Sequence, residues 1–429
     1  MVLALVQRTA LPLPLPVCMA AEQPEQPEQP EQPPQSAPTP PPAGPAELDP
    51  VRQTKARRYA RQRQVLSLVN LGVSAALIAV LLFSGLSFSL RDALSALGGW
   101  EPLVGWQPLL VGAYALVLLV AATILGLPLA YYSGFVLPHH YGLSTQPLGD
   151  WVTDLLKEVA ISLPFELAAV EFVYALLAAT PNTWWLWTGI AVLFFTVLLT
   201  NLAPVLLLPL FYKLQPLPEG DVRSRALSLA AKARTRVRGI YSMNMSSRTT
   251  AANAMVMGLG NTRRIIVGDT LLDRYTPDEI EVVVAHELGH QVHHDIPKLV
   301  AVGSLTTLGG LYLVNLMLHA VVARVPQYTG LADPATLPLL AAAVGVFGCI
   351  VLPLQNGFSR WVERQADQYA LEATRNPSAF ISAMTRLANQ NLAELEPSPL
   401  VEFLLYNHPP VGKRITHARR FAAAPGLRS

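Results

Sequence analysis

Six long apolar segments constrain the fold of this chain more than any other feature. They cover roughly residues 65–83, 109–130, 159–179, 184–211, 299–323 and 337–355. Each approaches or exceeds the ~20 residues that a helix needs to cross the hydrocarbon core of a bilayer. Because lipid cannot satisfy backbone N–H and C=O groups, segments of this length must form helices there. The sequence therefore predicts a mainly α-helical, polytopic membrane bundle with six spans.

The composition supports a membrane protein and excludes other classes. The chain is 52% hydrophobic and 14% charged, whereas ordinary soluble domains are about 25% charged. A net charge of +2, without a basic and aromatic pattern, gives no reason to expect nucleic acid as a partner. The two cysteines, Cys18 and Cys349, lie far apart, so we expect neither a disulfide framework nor cysteine ligation of a metal.

The first fifty residues differ from the rest of the chain. An E-Q-P repeat occurs four times from Glu22 to Pro33, and proline remains frequent up to Pro50. Such a segment cannot bury enough apolar surface to fold. We predict that residues 1–50 form a disordered, extended tether.

The distribution of Lys and Arg predicts the orientation of the bundle. A stretch of six basic residues lies directly before the first span, which places the N-terminus in the cytoplasm; they are Arg52, Lys55, Arg57, Arg58, Arg61 and Arg63. Six spans return the C-terminus to the same side. We predict four spans within residues 51–211, a cytoplasmic catalytic segment at 212–298, two spans within 299–357, and a C-terminal catalytic segment at 358–429.

The cytoplasmic segment contains an H-E-x-x-H pattern at residues 286–290. On a helix, His286 and His290 are one turn apart and can bind one metal ion, while Glu287 can act as a general base. Thr276, Pro277 and Glu279 form a capping-box start upstream of the pattern, so a helix is expected here.

Zinc also needs a third protein ligand. We predict Glu363, with Asp367 on the same helix face accepting the second N–H of a zinc-binding histidine. From this stretch alone, an exposed and charged helix end is the slightly favoured interpretation. His293 is a weaker candidate, because it lies a turn beyond His290 and would point past the ion.

These motifs together resemble the type I CAAX prenyl protease family, which comprises integral-membrane zinc metallopeptidases. The resemblance covers roughly residues 56–422. It is carried by residues 131–146, by Asn253 and Ala254 with 263–272, by 286–290, by 359–367, and by Asn407-His408-Pro409-Pro410 with Arg414-Ile415. It implies a bundle that encloses a chamber, with seven spans in eukaryotic members, and a zincin-type catalytic region that contains a small β-sheet.

The resemblance also implies roles for individual residues. His286, His290 and Glu363 would bind one Zn²⁺, Glu287 would be the general base, and His408 would stabilise the oxyanion. Arg360 would orient Glu363 or the oxyanion, and Asn253 and Ala254 would lie on an edge strand that pairs with the substrate. Asn253 at the end of a turn, and His408 as a surface histidine, are the simpler alternatives. Asn356 is a polar partner in the same region.

Three functions are compatible with this sequence. The first is a membrane-embedded zinc endopeptidase that cleaves near the C-terminus of CAAX-like proteins, prenylated or not. The second is a general quality-control protease for membrane proteins, and the third is a non-catalytic scaffold. The partners would be a peptide substrate and the bilayer, either the cell membrane of a bacterium or the endoplasmic reticulum of a eukaryote. Glu166 and Glu171 in the third span fit either a wet chamber or a contact between helices.

Overall fold

The computed structural model describes residues 46–98, 107–202, 208, 212–258 and 260–424. The predicted tail up to residue 45, with Cys18, and the tryptophans at positions 100 and 106 lie outside these ranges. Six helices in the described ranges are long and apolar enough to cross a bilayer, which confirms the predicted bundle.

The N-terminal half is almost entirely helical. Its helices are α1 (Pro50–Phe83), α2 (Leu86–Gly98), α3 (Gln107–Tyr131), α4 (Leu137–His140), α5 (Leu148–Ala179) and α6 (Trp184–Leu202). A single wider turn, Tyr132–Val136, joins α3 to α4 without a break. Apart from α2 and α4, each of these helices carries a membrane-length apolar stretch, and the continuous helix that begins in α3 extends through α4 to His140.

The middle of the chain contains the small sheet. Its elements are β1 (Leu214–Pro216), α7 (Asp221–Lys232), β2 (Ile240–Met243), β3 (Ala254–Met257), β4 (Arg264–Gly268), α8 (Asp269–Leu272) and α9 (Pro277–Val292). Among the described residues the strand order is β1-β2-β4-β3. The β2–β4 pair is parallel, and the outer pairs are antiparallel.

The C-terminal half returns to the membrane and then leaves it again. It comprises α10 (Asp295–Val322), α11 (Leu337–Thr374), α12 (Pro377–Gln390), α13 (Pro399–Leu405) and α14 (Val411–Ala423). The apolar segment of the last span and the stretch that carries Glu363 are one continuous helix, α11. The position of that carboxylate is therefore fixed directly by the membrane bundle.

Helix α9 begins as its sequence predicts. The Thr276 side chain accepts a hydrogen bond from the Glu279 backbone, and the Glu279 side chain accepts one from the Thr276 N–H. The other Glu279 oxygen is bound by Ser382 and Arg386 of α12. The cap therefore also joins α9 to α12, above an apolar core that includes Leu288 and Phe380.

The start of α1 packs against the extramembrane region, which comprises residues 141–147, the sheet with helices α7 to α9, and the chain from α12 to α14. The backbone N–H of Ala46 donates to Ser382 Oγ at 2.8 Å, and Arg52 Nε donates to the carbonyl of Asn389 at 2.7 Å. Gln53 donates to the carbonyl of Ala393 at 3.4 Å. These contacts hold the basic stretch of α1 on the side of the bundle where the sheet lies.

Gly289 allows α9 to approach α11 closely. A Cβ at this position would lie 3.0 Å from Ala366 Cα and 3.2 Å from the Ala366 carbonyl oxygen. Both of those atoms belong to the backbone, so neither can rotate away. The glycine between the two metal-motif histidines is therefore needed for the α9–α11 contact.

We predict that Gly289→Ala destabilises the protein by about 1–3 kcal/mol, the usual cost of overpacking, despite the better helix propensity of alanine. Thermal unfolding in detergent micelles measures the change. Gly309→Ala in α10 is the matched control, because a Cβ there meets nothing within 4 Å. Equal unfolding midpoints for the two variants would contradict the proposed steric role.

Candidate active site

The structure brings the three predicted metal ligands together. His286 Nε2 lies 3.3 Å from Glu363 Oε2, and His290 Nε2 lies 3.6 Å from Glu363 Oε1. One ligand atom from each residue falls within a cluster whose members are all within 4.8 Å of one another. Helix α9 supplies both imidazoles, and α11 supplies the carboxylate.

Each of these two histidines has its own carboxylate behind it. His286 Nδ1 lies 2.9 Å from Asp367 Oδ1, and His290 Nδ1 lies 3.0 Å from Asp295 Oδ2. Both aspartates are almost completely buried. A carboxylate at Nδ1 keeps a proton there, so that Nε2 is the nitrogen that binds a metal.

The Glu363 carboxylate is arranged for coordination rather than for hydrogen bonding. His286 Nε2 and His408 Nδ1 lie 3.3 Å and 2.9 Å from its Oε2 atom. Despite these short distances, buried Oε2 receives no hydrogen bond of acceptable geometry among the described residues. A buried oxygen without a donor, facing two imidazoles, fits a divalent cation such as zinc, which prefers nitrogen and oxygen ligands.

Glu287 lies between the two histidines on α9 and is partly exposed, so solvent or a substrate can reach it. Arg414 of α14 lies nearby. Its Nε and Nη2 bind the two oxygens of Asp367 at 2.9 and 2.5 Å. Burial lowers the pKa of Arg414, but Asp367, Glu363 and Glu287 raise it more, so the guanidinium stays charged.

Arg360 has different partners from those expected. Its guanidinium donates to the carbonyl oxygens of Glu402, at 2.9 Å, and Tyr406. These contacts are to α13 and to the residue after it, and none is to Glu363. Asn356 Nδ2 likewise donates to the Leu404 carbonyl at 2.8 Å. Both residues therefore hold the segment that leads to His408.

Strand β3 lies at one edge of the sheet and has β4 as its only described neighbour. Ala254 is its first residue. Asn253 directly precedes the strand, and its carbonyl accepts a hydrogen bond from the Gly268 N–H at 2.9 Å.

Other polar residues singled out in the sequence lie away from the metal ligands. His293 contacts the Tyr369 ring, and His294 takes a left-handed conformation at the start of α10. Glu171 packs against Gly112 of α3, where a Cβ would lie 2.6 Å from Glu171 Oε1, so it makes a contact between helices. Glu166 is partly exposed in α5.

Sequence reasoning missed the roles of Asp295 and Arg414. Asp295 follows His290 by five residues, beyond the turn that ends α9. A spacing of five residues does not place two side chains on one face of a helix, so the sequence does not predict this contact. The sequence identifies Arg414 as part of the C-terminal motif but does not predict its partner. Its contact with Asp367 joins two helices that are distant in the sequence.

A metal site of this composition at the end of a bundle of apolar helices is the arrangement of a membrane metallopeptidase. Residues 216–422 match the model of peptidase family M48. Residues 35–213 match the CAAX prenyl protease N-terminal family, which is described as five membrane helices.

Individual relatives agree with these matches. The chain is 30% identical to the uncharacterized metalloprotease YhfN of Bacillus subtilis, over 89% of each protein. It is also 30% identical to the CAAX prenyl protease 1 homolog of Arabidopsis thaliana, over 67% of this chain and 68% of that one. The crystal structure of S. mikatae Ste24p has the same fold, with a TM-score of 0.72 at 23% identity, over 86% of this chain and 89% of that chain.

The chain therefore belongs to peptidase family M48, among the relatives of CAAX prenyl protease 1. It is a multi-pass integral membrane metalloprotease, as the sequence predicted.

The protonation of His286 couples metal binding to pH. Burial disfavours the imidazolium, but Asp367 and Glu363 outweigh that effect and raise the pKa of His286 to about 10 in the metal-free protein. The ordinary value is about 6.5. This contribution to the stability of the metal-free fold is therefore complete below about pH 6.5 and is lost as the pH rises through about 10.

We predict that the affinity for zinc rises about tenfold per pH unit between pH 7 and 9, because a bound metal must displace the His286 proton. Calorimetry in buffers of different ionisation enthalpy should detect the release of about one proton per zinc. In Asp367→Asn the pH range over which the zinc affinity rises should move to lower pH, because the main partner of the His286 imidazolium is lost. An affinity that is flat between pH 7 and 9 in the wild type would contradict the prediction.

Proposed function

We propose that this protein is a zinc endopeptidase that cleaves peptide bonds near the C-terminus of CAAX-like proteins, with a prenyl group or without one. The observation that carries the proposal is the convergence of His286, His290 and Glu363 from two helices onto one point. A non-catalytic scaffold would have no use for this cluster with Glu287 beside it.

Zinc is the metal that suits these residues. Two imidazoles and one carboxylate leave a coordination position open, as catalytic zinc sites require. When bound, zinc acts as a Lewis acid that polarises a carbonyl and lowers the pKa of a water molecule. Asp367 and Asp295 would hold the two histidines in the tautomer and orientation that ligation needs.

We assign two side chains to the chemistry of bond cleavage. Glu287 removes a proton from the attacking water and returns it to the leaving amine, which is general acid–base catalysis by one carboxylate. His408 donates a hydrogen bond to the oxyanion that forms on the scissile carbonyl. Arg360 supports this role indirectly, because it fixes the Tyr406 carbonyl two residues before His408.

The substrate would bind in extended form along β3. An edge strand offers unpaired N–H and C=O groups that can hydrogen-bond to a peptide backbone. Because its carbonyl is bound by Gly268, Asn253 is held in place at the start of this edge, next to Ala254.

The substrate class rests on the relatives. Matched proteins from Arabidopsis thaliana and Saccharomyces cerevisiae are named for CAAX prenyl protease activity. A protease enclosed by membrane helices also suits a substrate whose C-terminus carries a lipid. We therefore favour CAAX-like tails as substrates.

We propose that the site faces the cytoplasm. Arg52 of the basic stretch and Ala46 just before α1 are both hydrogen-bonded to α12 of the extramembrane region, so the stretch and α12 share one side of the membrane. The excess of Lys and Arg in this stretch favours the cytoplasmic side.

A general quality-control protease for membrane proteins is the second candidate. It is favoured by the match to a Bacillus subtilis metalloprotease over 89% of both chains, because prenylated proteins are scarce in bacteria. The same catalytic residues would serve both functions, so only substrates can separate them.

We predict that Glu287→Gln lowers kcat by at least about 10³-fold while zinc content stays near one ion per chain. The amide keeps the size of the side chain but cannot accept the proton, and general acid–base catalysis alone accounts for about 10²–10⁴. Peptide cleavage followed by mass spectrometry, with metal analysis of the same sample, measures both quantities. A fully active variant would refute the assigned base.

The two candidate functions are separated by paired substrates. We expect a farnesylated CAAX peptide to be cleaved near its C-terminus with a higher kcat/KM than its unprenylated twin, and a chelator to abolish both reactions. Equal rates for the two peptides, together with cleavage of unrelated membrane proteins, would favour quality control.

A further inference from the structure

One cation of the basic stretch is turned away from solvent. Lys55, Arg57, Arg58 and Arg61 are exposed on α1, whereas Arg63 is partly buried. Arg63 shares a helix face with Ala56 and Tyr59, which precede it by seven and four residues. Ala56 is fully buried against Leu143 and Leu392 of the extramembrane region. The face that carries Arg63 is therefore the one that packs on the protease.

The surroundings of Arg63 are aromatic rather than acidic. Its guanidinium lies 5.6 Å from the centre of the Tyr59 ring, and that ring lies 5.1 Å from the ring of Tyr141. The Tyr406 ring is close to the same guanidinium. Within the described chain, Arg63 has no ion pair and no hydrogen bond from its side chain. A partly desolvated cation without a counter-charge is costly unless a ligand supplies the negative charge.

One carboxylate does border this group of tyrosines. Glu394 accepts a hydrogen bond from the Tyr406 hydroxyl at 3.4 Å, and it is not paired with Arg63. Burial raises the pKa of Glu394, which weakens its competition for the cation. The Arg63 guanidinium therefore keeps donors available for an anion.

Arg63 is connected to the catalytic residues by a short path. Tyr406 precedes His408 by two residues, so their Cα atoms are within about 7.6 Å of each other. The Tyr406 carbonyl is held by Arg360, which lies one turn before Glu363 on α11. Arg63 therefore lies beside the segment that leads to His408.

We infer that Arg63, with Tyr59, Tyr141 and Tyr406 around it, binds the C-terminal carboxylate of the substrate. The inference rests on the proposed function, since Arg63 would position the chain end of a CAAX-like substrate. Arginine suits this task because its planar guanidinium can donate two parallel hydrogen bonds to one carboxylate. The subsite would select free chain ends and set the number of residues released.

A lipid phosphate is the other anion that could reach this level of the bilayer. The exposed arginines of α1 are better placed for it, because Arg63 faces the extramembrane region through the contacts of Ala56 and Tyr59. The experiment must nevertheless separate the two ligands.

The test uses the full-length protein with zinc and two CAAX-like peptides that differ only in ending as a free acid or as an amide. We expect wild-type kcat/KM to be at least about tenfold higher for the acid, the usual effect of one charge-assisted hydrogen bond. In Arg63→Gln the value for the acid should fall about tenfold or more, while that for the amide stays within about twofold. Arg63→Lys should keep part of the preference.

Arg61→Gln is the matched control, because it removes the same charge from an exposed position two residues away. It should leave both peptides unaffected. The C-terminal peptide that cleavage releases gives an independent readout: its free acid should inhibit the wild type more strongly than its amide, and this difference should vanish in Arg63→Gln.

Several results would overturn the subsite. Equal wild-type values of kcat/KM for acid and amide would do so, and so would an equal loss of kcat/KM for both peptides in Arg63→Gln. A loss of kcat/KM seen only in nanodiscs that contain anionic lipid would assign Arg63 to the bilayer. These results leave the protease itself intact. If the zinc-loaded wild type cleaved neither peptide, the proposed function would fail, and the subsite with it.

Discussion

The contact between α9 and α11 is the interaction on which the rest of this structure depends. It buries His286, Glu363 and Asp367 together, and buried charges are tolerated only when they are paired. Arg414 supplies one positive charge, and a divalent cation between the imidazoles would supply the rest. Gly289 makes the approach possible, because any side chain there would meet the backbone of Ala366. Metal binding and the packing of α9 against α11 therefore depend on the same contacts.

The membrane bundle and the extramembrane region cannot be separated, because α1 and α11 belong to both. Helix α1 begins on α12, with Arg52 bound to the C-terminal end of α12 and Gln53 bound to Ala393 just after it. It then enters the membrane-length apolar segment. Helix α11 leaves that apolar environment and reaches Glu363 without a break. Any motion of these two spans is transmitted to the catalytic residues through rigid helices rather than through loops.

Local signals made much of this site predictable. The capping box at Thr276 and the spacing of His286 and His290 depend only on neighbouring residues, and the i,i+4 spacing of Glu363 and Asp367 places them on one face. The true partners of Arg360 and the role of Asp295 depend on contacts between distant segments, so no local pattern contained them. The sequence also does not predict which basic residue of α1 faces the extramembrane region, because basic residues occur on every face of that part of the helix.

One face of α11 sets the geometry of the whole site. Asn356, Arg360, Glu363 and Asp367 follow one another at four, three and four residues, and all four are buried. The first two bind carbonyl groups of α13 and of the residue after it, and thereby place His408. The last two face His286, and Glu363 also faces His290. Because the metal ligand and the supports of His408 share a single rigid helix, a rotation of α11 would displace both together. The distance between the proposed oxyanion donor and Glu363 is therefore preserved even if the bundle changes shape to admit a substrate.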